Sequence, residues 1–147
     1  MFVLRLDAGT PRLAGPCGAA AWYIEVGAED DPMDLVRRLS TDLFGAPTLV
    51  HSTSWRRNRG TVLLSFVVVI RDEQAPQYEA VPIARAVLAR GTATDAPSGV
   101  RAEQVIEHGL RHLSWLATDD PAVNEALTPT WRRLLAGYVA EPFRHLA

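Results

Sequence analysis

"TLVHSTSWRRNRGTVLLSFVVVIR", residues 48–71, is the stretch that decides the fold. Two runs rich in β-branched and aromatic residues flank Asn58, Arg59 and Gly60. Gly60 is free to take a positive φ, so the stretch reads as a hairpin of strands 48–56 and 61–71. The second strand is apolar on both faces, which places the hairpin at the centre of its sheet and Phe66 in the core. In the first strand, strict alternation puts Leu49, His51, Thr53 and Trp55 on one face. Thr48, Val50, Ser52 and Ser54 then share the other.

Upstream, "FVLRLD" (2–7) alternates Phe2, Leu4 and Leu6 with Arg5 and Asp7 and reads as a half-buried strand. "GTPRLAGPCG" reads as a loop by its glycines and prolines. "AAWYIEV" (20–26) reads as a second short strand. Residues 32–44 carry the clearest helical signal. Asp31 is a good N-cap, Pro32 suits the first helical position, and Asp34 favours the positive end of the dipole. Leu35, Leu39 and Leu43 recur at four-residue spacing beside Val36 and Phe44, and Gly45 supplies the stop.

Downstream, "VPIARAVLA" is an edge strand or a short helix, since Pro82 argues against a central strand. A long helix is expected over 99–117. Asp120 with Pro121, and Thr128 with Pro129, open two more. Strands dominate the first half and helices the second. The expectation is a single α+β domain, 1–147: an antiparallel sheet with a central hairpin, covered by the N-terminal-half helix and the C-terminal helical segment.

Composition narrows the function classes. The chain has 147 residues, 48% hydrophobic and 22% charged, with net charge −2. That balance argues against a bulk electrostatic partner such as duplex DNA or an anionic membrane. All 15 basic residues are arginine. Exposed helices accept lysine readily, so this reads as the codon bias of a GC-rich genome and not as a functional signal. Cys17 is the only cysteine, and the N-terminal residues lack the pattern of a secretory signal. No apolar run approaches the ~18 residues of a membrane span. A cytoplasmic location is expected.

Two constellations could carry chemistry. In "EHGLRHLSW" (107–115), His108 and His112 lie one helical turn apart, as two metal ligands on a helix do. Ala102, Val105, Ile106, Gly109, Leu110, Leu113, Leu116 and Ala117 collect into the apolar arc; Arg111, His112 and Trp115 lie on the other side. The zincin pattern needs a glutamate directly after its first histidine, where this chain has Gly109. His51 or Glu107 would have to supply a third ligand. Without one the site is incomplete, and no metal or other cofactor is expected. Trp115, nearly opposite the core arc, must be exposed, covered by the C-terminal helices or buried against a second copy, and a homodimer contact is the preferred reading.

The second constellation is the polar end of the hairpin. His51, Ser52, Ser54 and Arg56 could hold a phosphate or carboxylate, and His108, Arg111 and His112 form a second candidate ligand-binding set. A polar strand face ending in a solvated turn explains the hairpin residues without any function. The arginine-rich tip is short and has no aromatic stacking platform, so nucleic acid is not expected as a partner. There is no G-x-S-x-G elbow, phosphate loop, G-x-G-x-x-G or C-x-x-C.

"HSTSWRRNRGTVLLSFVVVI" together with "EQVIEHGLRHLSWLATDDPAV" resembles an uncharacterised family of small proteins from GC-rich bacteria. The resemblance spans roughly the second two thirds of the chain and brings no assigned activity and no catalytic residues. The expected function is non-catalytic binding of a small anionic ligand or a partner chain. The alternative is a metal-dependent hydrolase using His108 and His112.

Overall fold

The computed structural model describes residues 1–17, 20–88 and 99–140. The fold is α+β, and the chain divides into two compact units, Met1–Ile83 and Ala84–Ala147.

The first unit holds one mixed five-stranded sheet and a helix. Its strands are β1 (Phe2–Asp7), β2 (Thr10–Leu13), β3 (Leu49–Asn58), β4 (Thr61–Val69) and β5 (Val81–Pro82). They lie in the order β3-β4-β1-β2-β5. The hairpin β3–β4 forms as its sequence demands, around a two-residue turn in which Arg59 (φ 47°) and Gly60 (φ 86°) are both left-handed. It does not occupy the centre of the sheet. β3 is an edge strand, and β1 takes the middle position. β1 pairs in parallel with β4, Phe2 level with Val67 and Leu4 with Val69, so the sheet is mixed, not antiparallel.

Two local readings are corrected. Residues 10–13, expected as loop, form β2 because Ala8 (φ 48°) and Gly9 (φ 78°) make a tight left-handed turn that folds them back on β1. Residues 20–26, expected as a strand, join no ladder. Only Trp22 pairs, exchanging main-chain hydrogen bonds in both directions with Met1.

The helix α1 (Pro32–Phe44) is capped by Asp31, whose carboxylate accepts from the Met33 and Asp34 amides. Its buried stripe is Val36, Ser40 and Phe44, with Leu39 and Leu43 flanking. Ser40 is tolerated there because its hydroxyl donates to the Val36 carbonyl at 2.6 Å. This stripe meets Met1, Val3, Phe66, Val68 and Ile70 in one apolar cluster. Trp22, Phe44 and Tyr78 close it with edge-to-face contacts at 5.1–5.6 Å.

The second unit holds α2 (Ala102–Asp119), α3 (Pro121–Ala126) and α4 (Pro129–Leu135). Asp120 and Thr128 cap α3 and α4 with Pro121 and Pro129 just inside, as the sequence predicts. Leu110, Leu113, Leu127, Trp131 and Leu135 are almost wholly buried.

Phe66 is 6% exposed and belongs to the first unit's apolar cluster. Replacing it by alanine should destabilise the protein by about 3–5 kcal/mol in a urea titration, and an unperturbed Phe66→Ala protein would contradict the packing.

Candidate binding site

The hairpin's polar side chains do not share the face that alternation assigns them. Ser52 is level with Phe66 but Ser54 is level with Ser65, so Thr53 is an extra, bulged residue. The bulge flips every later side chain. His51, Ser54 and Arg56 now share one face, level with Val67, Ser65 and Leu63; Ser52 and Trp55 share the other with Phe66 and Leu64. His51 and Ser54 are half-buried and Ser52 is exposed. The Arg56 guanidinium donates to the Ser65 hydroxyl at 3.3 Å.

Of the residues proposed from sequence, only Arg56 lines the main concavity of the first unit. This is a cleft of about 760 Å³, within the range of ligand sites. Residues 61–66 of β4 form one wall and residues 21–26 the other. Met1 and Phe2 close one end, and Pro32, Leu35 and Val36 of α1 contribute to the lining. Around it Tyr23 is 81% exposed, Val26 45%, Val62 54% and Leu64 42%. Large apolar groups so exposed, gathered on one concave surface, mark a contact site more often than ordinary surface.

The cleft exists because β1 reaches β4 only over residues 67–69. β4 runs on for six residues past the level of Phe2, and β3 covers only one of its edges there. No sequence signal marked this wall, since Val62 and Leu64 read as part of a strand apolar on both faces.

The second unit contains the other proposed residues. His108, Arg111, His112 and Trp115 are each half-buried along α2. His108 stacks on His112 at 6.1 Å, and His112 on Trp115 at 5.7 Å with the rings 7° from parallel. Desolvation, and secondarily the charge of His108, hold the His112 imidazole below its ordinary pKa. Among the described residues, no three His, Cys, Asp or Glu side chains gather at metal-binding distance.

Glu107, named from the sequence only as a conceivable third metal ligand, has a structural role that sequence reasoning missed. It is 1% exposed, and both its oxygens are taken. Arg85 donates to them at 2.9 and 3.1 Å and Arg111 at 2.9 Å. Arg85 also lies over the Tyr138 ring at 4.1 Å and donates to the Gly137 carbonyl. Burial alone would raise the carboxyl's pKa. The hydrogen bonds from Arg85, Arg111 and the Ala86 amide outweigh burial and hold it below its ordinary value. Glu107 is therefore an anchor joining α2 to the chain around Arg85 and Tyr138, with no oxygen left over for a metal.

No family model, curated protein or solved structure matches this chain.

A carboxylate with a depressed folded pKa stabilises the protein above its unfolded pKa and loses that contribution as pH falls through the folded value. Glu107→Gln should lower stability at pH 7 by about 2 kcal/mol, discounted because Arg85 reaches solvent. The variant should also lose part of the wild type's decline in stability below the ordinary carboxylate range. Equal acid sensitivity in urea titrations of the two proteins would refute the anchor.

Proposed function

We propose that this chain is a non-catalytic binding module whose site is the cleft between residues 61–66 and 21–26. The observation that carries the reading is the exposure of Tyr23, Val26, Val62 and Leu64 around one concavity that Arg56 also lines. Apolar walls supply affinity, and a guanidinium at the margin favours a ligand with a carboxylate or phosphate. A cytoplasmic location goes with this reading. Cys17 is an exposed free thiol, and among the described residues no helix is long and apolar enough to cross a membrane.

Anilinonaphthalene sulfonate combines an apolar body with an anionic group and is a suitable probe. It should bind once per chain, saturably, with enhanced fluorescence. Leu64→Arg should weaken binding about tenfold, or about 1.4 kcal/mol, while leaving the melting transition sharp. Absence of saturable binding, or equal binding to the variant, would remove the cleft as the site.

A second reading concerns α2. The stacked rings of His108, His112 and Trp115 keep part of their surface open to solvent. Aromatic groups beside an arginine are favoured at contacts between copies of a chain. On this reading the wild type sediments as a dimer at tens of micromolar and Trp115→Ala as a monomer. A monomeric wild type at that concentration eliminates it.

A further inference from the structure

The two walls of the cleft are both stretches of chain with a direction, and their registers can be compared. Phe2 is level with Val67 of β4 in a parallel pair. On the opposite edge of β1, Trp22 exchanges two main-chain hydrogen bonds with Met1, the pattern of an antiparallel pair. At this level β4 and residue 22 are therefore two strand spacings apart, about 9.5 Å, with β1 between them. Beyond Met1 the same two stretches continue as the walls of the cleft. Continued at that spacing, they leave a space one strand wide in the line of β1.

The main-chain groups on β4 point into that space. The Ser65 carbonyl accepts from the Thr53 hydroxyl of β3, and the Ile70 amide donates to Leu4 of β1. Orientation alternates along a strand, so odd-numbered residues of β4 face β3 and even-numbered ones face away. Val62 and Leu64 thus present their N–H and C=O groups to the cleft. Among the described residues no ladder pairs them on that side.

We propose that the cleft binds an extended peptide segment of a partner protein, which lies in the line of β1 and completes the sheet between β4 and residues 21–26. The inference rests on the reading of the cleft as the binding site and specifies its occupant. The peptide hydrogen-bonds to Val62 and Leu64 as a parallel neighbour, and residues 21–26 form its antiparallel wall. Its side chains alternate in environment. Those level with Val62 and Leu64 lie on the face that carries Phe66 and the α1 cluster, and want to be apolar. Those level with Leu63 and Ser65 lie on the face of Arg56, where an acidic residue is favoured. A second copy offering its own sheet edge does not fit. A strand already in a sheet has a neighbour on one side, and that neighbour would collide with one of the two walls. Only a lone extended segment can enter.

The test uses the full chain and an acetylated, amidated peptide, Thr-Val-Glu-Val-Thr-Val, labelled with fluorescein. Fluorescence anisotropy should show saturable binding, and amide exchange at Val62 and Leu64 should slow in the complex while Leu63 and Ser65 stay as they were. The same peptide N-methylated at its two threonines and its glutamate, the residues level with Thr61, Leu63 and Ser65, keeps its side chains but cannot donate to β4, and should bind at least tenfold more weakly. Val62→Pro removes one cleft-facing amide and spares the bonds to β3, so it should weaken the parent peptide similarly. If that variant does not fold, the N-methylated peptide makes the same comparison on the wild type. Equal affinity of the two peptides would overturn strand addition while leaving a binding cleft in place. Failure of both peptides with retained anilinonaphthalene sulfonate binding would overturn it too, and loss of the dye as well would take the cleft reading with it. Protection of Val62 and Leu64 that appears with self-association, without peptide, would assign the space to a second copy and overturn the partner peptide.

Discussion

The parallel pairing of β1 with β4 is the contact on which the first unit depends. It spans three residue pairs, Phe2 with Val67 through Leu4 with Val69. That short ladder puts Val3, Phe66, Val68 and Ile70 on one face, where α1 buries them. It also fixes where β1 stops being a neighbour of β4. The core and the burial of β4 end within two residues of that level: β4 is buried from Ser65 onward and largely exposed before it. One constraint therefore produces both a packed core and an open apolar surface beside it. A sheet edge left bare beside exposed valine and leucine is a liability for aggregation, and natural proteins blunt or cover such edges. Here residues 21–26 line the other side of the same cleft.

The second unit is organised around a buried charge instead. Glu107 replaces what would otherwise be one more apolar contact on α2, and two guanidinium groups offset its desolvation. Ser114, two turns further along, donates to the carbonyls of Leu135 and Tyr138. The side of α2 that carries Glu107 and Ser114 is thus held by specific polar contacts, which fix the register of the chain around Arg85 and the end of α4. The stack of His108, His112 and Trp115 lies elsewhere on the same helix, so its openness does not come from a missing core contact.

Much of the fold was legible because its signals are local. Asp31 with Pro32, Asp120 with Pro121, and Thr128 with Pro129 each mark a helix start through a cap that needs only neighbouring residues. The turn at Gly60 is of the same kind. The central place of β1 was not legible, because parallel pairing between residues 2–4 and 67–69 leaves no mark in either stretch alone. β2 was hidden by glycine and proline, which serve equally in a loop and in a tight hairpin. The bulge at Thr53 defeated the face assignment of Ser54 and Arg56, since a one-residue insertion has no compositional signature yet reverses every later side chain. The structural role of Glu107 was not legible because a carboxylate at the margin of an apolar arc is indistinguishable from a solvated one until its arginine partner, Arg85, twenty-two residues away, is seen. The cleft itself was invisible for a simpler reason. Both of its walls were read as ordinary strands, and nothing in their composition says that they face each other without touching.

The central claim is that one edge of β4 is open between Thr61 and Phe66 while the other is paired, and amide hydrogen exchange on the protein alone reads this most directly. The account predicts an alternating pattern, with fast exchange at Val62 and Leu64 and slow exchange at Leu63 and Ser65, whose amides face β3. Uniform protection of all four amides would mean that the edge is already covered, and would contradict the account.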